Sequence, residues 1–156
     1  MERKKLEDLI TDLKVDIDYK PLDLDKLAWR METVCEVLEV ELESIRIMET
    51  GKGYHIHGVI LGDVDDKDVI IIQMALGSDY LRELYNLRRV RNGIKNWNVL
   101  FSSKYKEENG KLVKVSEEKL ALGLTMMLCM KRWKIRGEGL VRKYLAKLRE
   151  VIGKFV

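Results

Sequence analysis

"SIRIMETGKGYHIHGVIL", residues 44–61, is the stretch from which the fold can be read. Two runs that alternate apolar and polar residues flank Gly51-Lys52-Gly53, the glycines that a tight hairpin turn needs, so two antiparallel strands are predicted. In the second strand Tyr54 and Ile56 point one way while His55 and His57 point the other. These are the two histidines of the whole chain.

Upstream, "LKVDIDY" (13–19) alternates apolar and acidic residues and predicts a half-buried strand with Val15 and Ile17 on one face and Asp16 and Asp18 on the other. Between it and the hairpin, Leu27, Met31, Val34, Cys35, Leu38 and Leu42 recur at helical spacing behind Asp23 or Asp25 as a cap. A short leading helix is expected within "MERKKLEDLI". Downstream, Val69 to Ile72 suit a buried strand, yet the longer spacing and the acidic start favour a helix interrupted near Gly77-Ser78. "WNVLFSSKY" then predicts a strand, "ENG" a turn, and "KLVKV" an antiparallel return. Two carboxy-terminal helices are expected, one behind Ser116 and one beyond a Gly137/Gly139 joint, with Met126, Met127 and Met130 packing between helices.

The order is βαββαβ, so the expected fold class is α+β, with a ferredoxin-like or RRM-like core over 13–105, a β-hairpin extension and a helical extension over 116–156. At 156 residues the chain is read as one domain, 1–156. In that topology the first and third strands are central neighbours with both helices behind them. If Ile17 and Ile56 face the helices, Asp16, Asp18, His55 and His57 share the open face.

Composition narrows the function classes. An apolar fraction of 46% with 35% charged residues and one proline describes a globular protein rather than a disordered one. No apolar run approaches the roughly 20 residues that span a bilayer, and the start lacks a signal-peptide core, so a cytoplasmic location away from membranes is expected. Cys35 and Cys129 have no metal-ligand spacing and are read as buried free thiols. The abundance of Lys, Glu, Ile and Val leans towards a thermophile. Net charge is only +3 but unevenly placed. Acids gather in 16–49 and 63–68, whereas "LRRVRNGIK" and "MKRWKIRGEGLVRKYLAKLR" are basic runs, and Arg82, Arg88, Arg89, Arg91, Lys104, Lys131, Arg132 and Lys134 could track a nucleic-acid backbone around the rim. These runs suit either a nucleic-acid backbone or an ordinary solvated helical face.

Two aspartates on one open face repel each other, and a divalent cation is the natural compensator. Carboxylate oxygens suit magnesium or manganese, and a neighbouring imidazole extends the range to zinc. Such an ion binds nucleotide phosphates and lowers the pKa of an attacking hydroxyl.

"VDID" and "ETGKGYHIHG" resemble two motifs of the archaeo-eukaryotic primase/primase-polymerase superfamily, an apolar strand ending in Asp-x-Asp and a Ser-Gly-x-Gly-aromatic-His turn and strand, in the family order over residues 13–61. The resemblance implies that Asp16 and Asp18 bind catalytic metals and that His55 contacts the phosphates of an incoming nucleoside triphosphate. Thr50 and Lys52 would help to hold those phosphates, and His57 lies beside them. Thr50 stands where the family has serine, and "WNVLFSSKY" lacks the family's third acid, for which Asp79 is the best substitute and Asp63, Asp65 and Asp68 lesser ones. The activity implied is metal-dependent nucleotidyl transfer on DNA or RNA during replication, by a reduced relative from an archaeal host or its mobile element. Its implied partners are a nucleic acid strand, nucleoside triphosphates, and a replication protein or a second copy of the chain.

"HIH" is also similar to the His-hydrophobic-His strand of HUH-type rolling-circle initiators. That likeness implies a metal held by both histidines with Glu49 or Asp18, and Tyr85 or Tyr80 as nucleophile; Phe101 stands where another tyrosine could have served. A third reading is a non-catalytic nucleic-acid-binding accessory protein. Plain RRM binding is disfavoured, because the positions that would carry stacking aromatics on the central strands hold acids and histidines.

Overall fold

The central strand, Tyr54–Leu61, alternates so that Ile56 and Ile60 are buried against helices while His55 and His57 face the other side. In this computed structural model, which describes residues 5–154, it is β3. It pairs antiparallel with β1 (Ile10–Ile17) along its full length and with β2 (Glu41–Glu49). A two-residue β6 (Lys119–Leu120) extends the sheet beyond β2, giving the order β1-β3-β2-β6. Helices α1 (Leu24–Leu38), α2 (Asp66–Ala75) and α3 (Tyr80–Arg91) follow the expected places in sequence. β4 (Ser103–Glu108) and β5 (Lys111–Glu117) form a separate hairpin, and α4 (Leu122–Gly153) ends the chain. The protein is therefore α+β, with a ferredoxin-like core, a hairpin extension and a carboxy-terminal helix.

Leu13, Val15 and Ile17 of β1 and Ile56 and Ile60 of β3 meet Leu27, Ala28 and Met31 of α1 and Val69 and Ile72 of α2 in one apolar core. Asp23 caps α1 by accepting from the Lys26 N–H. Asp65 and Asp68 form a reciprocal capping box at α2, which accounts for part of the acidic run at 63–68 without any ligand.

Four local expectations are corrected. The leading segment is a single 3-10 turn, Leu6–Leu9, and its first four residues lie outside the described part; β1 starts at Ile10 because Ile10 to Lys14 also find partners on β3. The two carboxy-terminal helices are one, since Gly137 and Gly139 meet nothing and each costs an otherwise favourable helix only about 1 kcal/mol. Met126, Met127 and Met130 are exposed on α4 rather than packed, and Cys129 is exposed while Cys35 is half-buried.

The fourth correction shapes the site. Residues 97–102 are not a strand beside β1, so β1 is an edge of the sheet and not a central strand. Its outward backbone groups are met by side chains and a helix start instead. Gln73 Oε1 accepts from the Lys14 N–H (2.9 Å), Ser78 Oγ accepts from the Asp16 N–H (3.0 Å), the Asp79 N–H donates to the Asp16 carbonyl (2.7 Å) and Arg82 donates to the Lys14 carbonyl (2.9 Å). Trp97 is buried and Asn98 donates to Gln73, which holds this segment as irregular cover.

Candidate active site

Asp16 and His55 are direct cross-strand partners on the open face, with Nε2 of His55 3.6 Å from Oδ1 of Asp16. Asp18, just past the end of β1, lines the same cleft, which measures about 340 Å³ and also takes in Thr50, Lys52, His55 and Asp79. Asp79 is brought there by its backbone bond to Asp16, while its side chain caps α3 by accepting from the Arg82 N–H. Asp79 thus lines the cleft from a helix cap, while "WNVLFSSKY" contributes no acid to it. Arg82, Tyr85, Arg89, Phe101 and Lys104 line the cleft's remaining walls.

Burial raises the pKa of the Asp16 carboxyl, and the neighbouring Asp18 and Asp79 add to that, against lowering by His55 and Arg82. Burial is the largest of these effects, and a divalent cation beside Asp16 and Asp18 would favour the ionised form that burial opposes.

Sequence reasoning did not find Glu118. It follows β5, where a helix was expected to have begun, and its N–H donates to the Ser102 carbonyl (2.7 Å), closing the root of the β4–β5 hairpin over the sheet. One carboxylate oxygen lies 2.8 Å from Nδ1 of His55 and 3.0 Å from Nε2 of His57. Burial works against its ionisation, but the two imidazole hydrogen bonds outweigh that and lower its pKa below the ordinary glutamate value. An ionised carboxylate only accepts, so Nδ1 of His55 donates to it and Nε2 is left on the Asp16 side. The only sequence signal for Glu118 was an acid ahead of a helix, read as a helix start.

Among the described residues, His55, His57 and Glu118 are the one group of three histidine, cysteine or acidic side chains whose ligand atoms lie within 4.8 Å of one another. The carboxylates of Asp16, Asp18 and Asp79 share the cleft without such close convergence. His57, opposite Lys14 in the register, belongs to the Glu118 group and does not line the cleft. Glu49 pairs with Lys20 at 2.7 Å, away from the histidines. No family model, curated protein or solved structure matches this chain. What the site does is therefore argued from its residues.

The basic residues separate into two sets. Arg82 is directed inward, bonding Lys14, Glu83, Asn98 and Val99, and so is a strut rather than a rim contact. Arg132 is buried against the Leu42 carbonyl and Glu32, and Lys131 pairs with Asp25 at 2.6 Å; these two hold α4 to the body instead of forming an open cationic face. Arg88, Arg89, Arg91, Lys104 and Lys134 remain exposed. No described helix is long and apolar enough to cross a membrane.

Proposed function

We propose that the protein is a metal-dependent nucleotidyltransferase-like domain of the primase/primase-polymerase type, acting on a DNA or RNA strand in replication. The observation that supports this best is the single cleft lined by Asp16, Asp18, Asp79, His55, Thr50 and Lys52. Asp16 and Asp18, with Asp79 behind them, would hold a magnesium or manganese ion, which when bound supplies charge neutralisation at phosphate and a lowered hydroxyl pKa. His55, held through Nδ1 by Glu118, would donate to a phosphate oxygen through Nε2 as the doubly protonated imidazolium. Thr50 and Lys52 add a hydroxyl and a cation from the turn before β3, and Arg89 and Lys104 extend positive charge along the cleft. These groups orient the triphosphate for in-line attack of a strand's 3′-hydroxyl on the α-phosphate, with pyrophosphate leaving.

A second reading rests on the His55, His57 and Glu118 group. Two imidazoles and a carboxylate suit manganese, cobalt or zinc, and Tyr85 lines the adjacent cleft, as a rolling-circle nuclease would need. Calorimetric titration of manganese and zinc, with and without a nucleoside triphosphate, separates the two. Loss of binding in Asp16→Asn/Asp18→Asn with retention in His57→Ala supports the polymerase-type site. The opposite pattern supports the nuclease reading, and no metal-dependent nucleotide binding by the wild type overturns the first.

A further inference from the structure

One wall of the cleft is apolar and aromatic, which chemistry directed at metal and phosphate leaves unexplained. Leu81 and Tyr85 lie four apart on α3, on the helical stripe that Arg89 continues. Val99 and Phe101 come from the irregular cover segment and line the same cleft. Phe101 is 74% exposed and Tyr85 51% exposed, although both border a concavity where apolar groups would ordinarily find cover. Large apolar side chains left to water on a concave surface mark a ligand site. Lys52, Arg89 and Lys104 line the same space, and a cation held by Asp16, Asp18 and Asp79 would add to them, so a ligand that is apolar and flat at one end and negative at the other suits this lining. A nucleobase joined to phosphates meets both demands, whereas a fatty chain or an apolar peptide meets only the first.

We infer that Phe101 and Tyr85 form a base-stacking wall, on which a nucleobase lies while its phosphates extend towards Lys104, Arg89 and His55. Aromatic side chains stack on any base, so the wall contributes affinity with little sequence preference. The inference rests on the proposed nucleotidyl-transfer site for the phosphate end and adds the subsite for the base. The base belongs either to the incoming nucleotide or to the strand.

The test measures binding in the presence of manganese of four probes: a nucleoside triphosphate, inorganic triphosphate, an oligothymidylate, and an abasic oligomer of equal length. Phe101→Ala is expected to weaken one base-bearing probe about tenfold, leave its base-free counterpart unchanged, and be rescued by Phe101→Trp. Weakening confined to the nucleoside triphosphate places the incoming base on the wall; weakening confined to the oligothymidylate places the strand there. Binding of all probes within twofold of wild type in both Phe101→Ala and Tyr85→Ala overturns the stacking wall and leaves the catalytic proposal standing. A wild type that binds oligothymidylate in preference to the abasic oligomer, but neither triphosphate, keeps the wall and overturns the nucleotidyl-transfer reading. Absence of binding to any probe overturns both.

Discussion

Glu118→Ala removes a carboxylate that serves two imidazoles at once. The Glu118 side chain is 14% exposed and that of His55 7%, so the loss takes the acceptor away from a buried Nδ1–H of His55. Leaving a buried donor unsatisfied costs about 1–3 kcal/mol, and His57, being more exposed, recovers part of its loss from solvent. The variant removes the side-chain tie between the root of the β4–β5 hairpin and the histidines but keeps the backbone bond from the Glu118 N–H to the Ser102 carbonyl. For a chain of this size the melting temperature should fall by about 2–12 °C at pH 7, read by circular dichroism. The pH dependence follows from the direction of the Glu118 shift. Its pKa is lower in the folded than in the unfolded state, so its contribution is complete above the ordinary glutamate value and disappears as pH falls through the lowered one. The wild-type advantage over the variant should therefore persist at pH 6 and shrink towards pH 3. A melting temperature unchanged at pH 7, or a gap that widens on acidification, would refute the positioning role.

Asp16→Asn should leave stability unchanged or raise it by up to about 1 kcal/mol at pH 7, because burial and two neighbouring acids raise the Asp16 pKa and ionisation costs the fold as pH rises through the carboxylate range; a clear loss in urea melts would mean that the carboxylate is structural. Metal-dependent nucleotide binding should vanish in the same variant. Gly53→Ala would place a Cβ 1.8 Å from the Ile17 carbonyl oxygen, which forces β1 and the turn apart and should cost about 1–3 kcal/mol or more, whereas Gly51→Ala meets only Ser116 at 3.8 Å and should melt within about 0.5 kcal/mol of wild type. Equal effects of the two glycine substitutions would contradict the close approach at Gly53. Glu83→Ala leaves Arg82 without its buried partner, Ser78 and Asn86 without an acceptor and Gln73 with Asn98 alone, and should destabilise by about 3–5 kcal/mol in chemical denaturation. A loss below about 1 kcal/mol would show that the network does not hold the β1 edge.

The elements legible in sequence were those whose periodicity came from burial on one side. β1 and β3 alternate because one face meets the helices, and α1 repeats at helical spacing because one stripe does the same. What escaped depended on contacts distant in sequence. Residues 97–102 have the composition of a strand, yet Trp97 is drawn into the core and Asn98 into the polar network around Gln73, so no ladder forms. Glu118 was hidden for a related reason. "SEEKL" reads as a helix start, but α4 begins at Leu122 because Lys119 and Leu120 pair first with Glu49 and Met48 of β2. Asp16, Asp18, His55 and the turn at Thr50 were legible as a group because strand alternation alone places them near one another. Asp79 could be named but not located, since its position depends on how α3 docks.

That docking explains why the cleft exists where it does. A fourth strand beside β1 would have paired its outer backbone groups and pushed the next helix away from the sheet edge. Here Gln73, Ser78 and Arg82 satisfy those groups from helices and the link between them, so the start of α3 comes directly against Asp16. The same substitution sets Asp79 beside Asp16, turns Tyr85 and Arg89 towards the open face, and leaves residues 99–101 to form a wall instead of a strand. The buried Glu83, bonded by Gln73, Ser78, Arg82 and Asn86, holds that arrangement from behind. Stability of the sheet edge and assembly of the cleft are thus one problem with one solution. A mild Glu83 variant such as Glu83→Gln should loosen nucleotide binding before it unfolds the chain, and equal sensitivity of binding and melting would separate the two again.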